Sequence, residues 1–144
     1  MNSIQNEPLA GNTRKDQIEG LYPLSGLQQG MLFHGLYDGK VGAYLEQFGC
    51  DLVGADIEMF TKTWDYIIKA HSILRSAFYY DKFNVPVQCV FKEIKIPVEV
   101  LDYSAFSPEE QLDAIKLFEQ SEKEKGFDFK SAPLMRLALI RLDD

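Results

Sequence analysis

The chain has 144 residues, enough for one ordinary domain with a real core, and its 46% hydrophobic and 26% charged content is typical of a soluble globular protein. A net charge of −7 and the lack of any basic stripe with interleaved aromatics exclude nucleic acid as a natural partner, because such binding needs clustered Lys and Arg on phosphates. No stretch approaches 18 apolar residues and the first sixteen hold no apolar signal core, so the reading is no membrane span, no secretory peptide and a cytoplasmic location.

Residues 1–16 are polar with Gly and Pro, and read as a flexible leader, linker or docking segment; residues 17–144 read as the folded unit. A short helix is predicted over Gly26 to Tyr37, then a loop over Gly39 to Gly42. Tyr44 to Leu52 alternates as a strand, with Tyr44, Phe48, Cys50 and Leu52 on one face. Asp56 caps a helix running to about Ser72, whose Ile57, Phe60, Trp64, Ile67 and Ile68 make one apolar stripe.

Arg75 to Tyr80 and Pro86 to Glu93 form a hairpin around Asp81 to Asn84. Ile94 to Leu101 alternates as a strand, and Pro97 places it at an edge. Ser107-Pro108-Glu109-Glu110 is the clearest local signal: an N-cap, a proline at the first helical position and a capping box. That helix turns Leu112, Ile115 and Phe118 inward and stops near Gly126. Leu134 to Leu142 is almost wholly apolar and reads as a strand covered on both faces. The alternation of helices and strands gives an α/β or α+β domain.

Few residues invite chemistry. Cys50 and Cys89 both fall in apolar strand patterns and read as buried free thiols, and neither pairs with His34 or His71 at a metal-ligand spacing. Ser25 lacks a nucleophile elbow, and with Gln28 it fits a capping box. His71 continues the stripe of the second helix, as a buried neutral imidazole or as a general base tuned by burial. Arg75 lies between Leu74 and Phe78; it either pairs with a carboxylate, inside or outside this chain, or reaches solvent with its head.

Three segments carry a resemblance. Tyr22-Pro23-Leu24-Ser25 with Leu27 to His34 resembles the first core motif of the condensation domains of nonribosomal peptide synthetases, and Ala70 to Phe78 resembles the second. Gly126-Phe127-Asp128, with Pro133-Leu134 and Arg136 to Leu142, is similar to the segment before the third. The likeness spans about residues 17 to 144, with Gly26, Ala70 and Ser76 standing where Pro, Arg and Thr are usual.

The resemblance implies most of the N-terminal lobe of a chloramphenicol-acetyltransferase-like fold, a mixed sheet with packed helices. It implies antibiotic or other secondary-metabolite biosynthesis by amide-bond formation: an acceptor aminoacyl thioester attacks a donor peptidyl thioester, both on phosphopantetheine arms of carrier proteins, with no cofactor or metal bound directly. The family's His-His-x-x-x-Asp-Gly signature is expected beyond Asp144, so no catalytic residue is assigned and the fragment alone is expected to be inactive. The resemblance pairs Arg75 with the Asp of that missing motif, which makes Arg75, with His71, a structural support of that loop, and it places Tyr22, Ser25 and Gln28 beside the substrate tunnel. Other expectations are an upstream synthetase subunit as partner and self-association of the lobe. Alternatives are an epimerisation or cyclisation relative, a non-catalytic docking module, and an unrelated small α/β ligand-binding domain.

Overall fold

Strand β3 (Val87–Phe91) organises the core, because its residues alternate between two environments. The computed structural model describes residues 15–37 and 44–143. In it β3 lies between β1 (Ile18–Pro23) and β2 (Ser76–Tyr79), antiparallel to both. Val87, Cys89 and Phe91 cluster with Ala77 and Tyr79 of β2 on one face, and Ile18, Ile94 and Ala132 pack against them. Tyr79 is buried through its whole ring, and its hydroxyl donates to Lys130 O at 3.1 Å, which satisfies the one polar atom on that face. On the other face Gln88 sits opposite Tyr22 and Phe78.

The helices form where their caps and patterns predict. Helix α1 (Gly26–Tyr37) begins at Ser25 and packs against the segment after the third helix: a Cβ on Gly35 would stand 2.8 Å from the Phe129 ring. Phe129 O in turn accepts from Phe78 N of β2 at 2.7 Å. Helix α2 (Ile57–Ala70) is capped by Asp56, which accepts from Met59 N. Only Ile68 of its stripe is fully buried; Ile57 is exposed.

Strand β4 (Val98–Asp102), helix α3 (Pro108–Lys125) and strand β5 (Leu137–Arg141) make a separate βαβ unit with a two-stranded parallel sheet. The capping box of Ser107 and Glu110 closes in both directions, and Gly126 ends the helix at φ 55°, a conformation that suits glycine.

Four sequence expectations are corrected. Tyr44 to Leu52 forms no ladder among the described residues; Phe48 and Cys50 stand exposed, and Gln47 Nε2 ties the stretch to α3 through Glu119 O at 2.8 Å. Strand propensity expresses fit to a pleated neighbour, and this stretch has none there. Ile94 to Pro97 is not strand: the ladder starts at Val98, after the proline that lacks a donor. Leu112 points to solvent, and no residue of α3 is fully buried. Finally, β5 spans Leu137–Arg141 rather than 134 to 142 and is only half covered, having β4 as its single partner among the described residues. The predicted loop at 39–42 and most of the leader lie outside the described residues.

Candidate functional site

The site grows from the end of α2. His71 leaves helical geometry at φ −115°, and its N–H still reaches Ile67 O. A 3₁₀ turn (Ser72–Arg75) then reverses the chain into β2. That reversal folds the Arg75 side chain back under the helix it has just left. Its Nη1 donates to Ile68 O at 2.6 Å and to Lys69 O at 2.8 Å. Both carbonyls belong to the last turn of α2, which has no helical donors of its own, so the guanidinium caps the negative end of the helix dipole.

The other donors reach the sheet. Nε donates to Phe91 O at the end of β3 at 2.8 Å, and Nη2 to Glu19 Oε2 at 2.7 Å. Glu19 reaches it because β1 is irregular there: Ile18 pairs with Phe91 and Gly20 with Val90, which leaves Glu19 as an extra residue. A bulge of this kind turns a side chain that regular pleating would send elsewhere. Arg75 is 6% exposed. The solvent-reaching alternative is therefore excluded, and the carboxylate that Arg75 meets is the half-exposed Glu19 of this chain, where the resemblance pairs it with the Asp of the missing motif. Four of a guanidinium's five N–H donors are thus engaged within the chain.

The remaining sequence candidates sit around this centre. His71 is exposed, which corrects the buried imidazole: it caps α2 on the outside while Arg75 takes the inside. His34 is also exposed, with its ring edge-on to Phe33 at 5.9 Å. Ser25 and Gln28 form the capping box, Gln28 N donating to Ser25 Oγ at 3.2 Å and Ser25 N to Gln28 Oε1 at 2.9 Å. Tyr22 is 54% exposed, and its ring covers Gly20 so closely that a Cβ there would meet it at 2.7 Å. A hollow of about 280 Å³ borders α1, lined by Leu32, Phe33, Leu36 and Tyr37 with Tyr80 and Pro86. Tyr22, Ser25 and Gln28 do not line it.

Elsewhere, Arg136 lies over the Phe127 ring and donates to Glu122 Oε2 at 2.6 Å; Lys125 donates to the same carboxylate. These cations hold the Glu122 carboxyl below its usual range, Lys125 most strongly. Cys89 is wholly buried, and desolvation pushes its thiol up to about 11, whereas Cys50 is exposed; both are free. Among the described residues no cluster of His, Cys, Asp and Glu fits a metal ion, and no helix is long and apolar enough to cross a membrane. Sequence reasoning missed two residues. Glu19 had no signal, since a bulge leaves none in a single sequence. Gln88 had a weak one, a lone polar residue inside the apolar run Val87 to Phe91.

The class these features define is a mixed α/β lobe in which a buried arginine ties a helix end to an antiparallel sheet, beside a βαβ unit. Comparison with known proteins places it: the model of the condensation domain matches residues 18–144, and the chain belongs to that family. It is 37% identical over 129 residues to bacitracin synthase 3 of Bacillus licheniformis, covering 89% of this chain and 2% of the relative. It is 36% identical over 129 residues to bacitracin synthase 1 of the same organism, again covering 89% and 2%. The fold matches the EpoB NRPS cyclization-docking bidomain from Sorangium cellulosum, with TM-score 0.67 and 16% identity over 92% of this chain and 27% of that one. The tallysomycin biosynthesis protein TlmII matches with TM-score 0.61 and 21% identity, over 86% and 30%. The chain thus has the chloramphenicol-acetyltransferase-like fold of condensation domains, and spans only 2% of the length of these synthases.

Proposed function

We propose that this chain serves nonribosomal peptide synthesis, as the part of a condensation domain that supports amide-bond formation between a donor and an acceptor thioester. The observation that carries the reading is the family match over residues 18–144 together with Arg75, buried within the matched second motif and fixed by four hydrogen bonds. The sequence holds no His-His pair, and the reading assigns no residue of this chain to positioning or deprotonating the amine. Here Arg75 acts as a support: held by four hydrogen bonds, with one Nη2–H left over, it offers a fixed wall to the catalytic loop, with His71 at its margin. The N-terminal turn of α1, with Tyr22, Ser25 and Gln28, borders the substrate passage. Each substrate rides a phosphopantetheine arm on a carrier protein, which delivers it in the cytoplasm, in part from an upstream synthetase polypeptide; the chain itself binds no cofactor. The gain comes from positioning two tethered reactants.

The test is a reconstituted reaction. The natural polypeptide containing this chain, supplied with loaded donor and acceptor carrier proteins, should join the two acyl groups in an amide, read by mass spectrometry of the acceptor thioester. Transfer to water alone, or a heterocyclic product, would overturn the amide reading; the latter would favour a cyclisation relative. A docking module is the second reading, favoured by the exposed apolar side chains of Phe48 and Val53 on the unpaired stretch after Tyr44. It predicts self-association or carrier-protein binding without turnover.

A further inference from the structure

One polar chain crosses the sheet from α1 to the turn that carries Arg75. It starts at the capping box, where Ser25 N donates to Gln28 Oε1 at 2.9 Å. That bond fixes which end of the Gln28 amide is oxygen, so its NH₂ faces the sheet and donates to Gln88 Oε1 at 3.1 Å. The Gln88 amide is thereby oriented too, and its NH₂ donates to Ser76 Oγ at 2.8 Å. Ser76 is 3% exposed and has one hydroxyl hydrogen, which goes to Ser72 O at 3.3 Å. Every donor in the chain points the same way. No single member can turn over without leaving a neighbour with two donors or two acceptors face to face.

The chain joins the two motif segments at their sensitive points. Gln28 is in the first turn of α1. Ser72 opens the 3₁₀ turn and Ser76 follows Arg75 directly. Among the described residues, Gln88 is the one that hydrogen-bonds to both, from the middle strand. An apolar side chain there would suit a β3 whose neighbours Val87, Cys89 and Val90 are all buried. The amide serves to register one element against the other.

We propose that Gln88 is a positioning residue that sets the N-terminal turn of α1 against the Arg75 turn, so that the passage-side residues and the arginine support act as one unit. This rests on the condensation reading above for its purpose, though not for its geometry.

Two measurements decide it. In the first, the backbone amide, side-chain amide and Arg75 Nε–H resonances of the chain are followed by NMR. Gln28→Leu changes only α1, yet it shifts the Gln88 amide, the Ser76 amide and Arg75 Nε–H. Gln29→Leu, which removes the adjacent local bond to Leu24 O, leaves them in place. In the second, the natural polypeptide turns over loaded carrier proteins. Gln88→Leu lowers kcat about tenfold with KM for either carrier unchanged, and Gln28→Leu/Gln88→Leu loses no more than Gln88→Leu alone. Gln28→Leu shifts confined to α1 overturn the proposal, as does an unchanged kcat in Gln88→Leu. A wild-type polypeptide without turnover instead sinks the condensation reading, and the resonances alone then judge the registration.

Discussion

The two halves of the molecule are built by different rules. In the β1–β3–β2 sheet β2 and β3 read as nearly continuous burial, and one arginine joins the sheet to α2. In the β4–α3–β5 unit no strand or helix residue is fully buried, and order comes from local devices: a capping box, a glycine stop and ion pairs along α3. Tertiary burial dominates the first and local propensity the second. Substitutions should therefore cost several-fold more in the sheet than in the βαβ unit.

The sharpest way to break this contrast is at Arg75. Arg75→Leu leaves three carbonyl groups without their donor while the half-exposed Glu19 turns to water, and should cost about 2–3 kcal/mol in urea unfolding. A loss below about 1 kcal/mol would show that the sheet half does not depend on its centre. The cysteines compare the buried sheet with the open stretch after Tyr44. At pH 8 a thiol reagent should label Cys50 roughly a hundredfold faster than Cys89, whose thiol is both enclosed and held near 11. Mass spectrometry of the labelled chain reads the ratio.

In the βαβ unit, Ser107→Ala removes the helix cap and should cost about 1 kcal/mol, visible as reduced helicity at the α3 start. Leu117→Ala, on the exposed side of the same helix, should change stability by under about 0.5 kcal/mol. The smallest effect is electrostatic. Glu122 has its folded pKa lowered beneath the ordinary glutamate value of 4.5, so its contribution is complete above that value and is lost as pH falls through the lowered folded pKa. Glu122→Gln should therefore flatten that acid limb of a stability–pH curve and leave the pH dependence near neutrality unchanged.

What the sequence revealed follows the same division. The bounds of α1, the N-cap of α2, both caps of α3, and the 81–84 hairpin turn were legible because each is specified by residues within a few positions of one another. Tyr44 to Leu52 misled because alternation reports a tendency to pair, and pairing depends on a neighbour that a local pattern cannot name. His71 misled because it follows the periodicity of α2 one residue past its end, where the backbone has already turned. At Arg75 the sequence showed that a partner was needed, and the bulge that supplies Glu19 was invisible because it depends on the register between two strands far apart in the chain.

The Arg75 cluster carries one more consequence. Positions 19, 68, 69 and 91 belong to three separate stretches of chain, yet all bind a single planar group. Fraying of any one stretch releases the guanidinium and exposes the rest to water. The backbone amides around all three should then exchange with deuterium in a single concerted opening, rather than unzipping one after another from their ends.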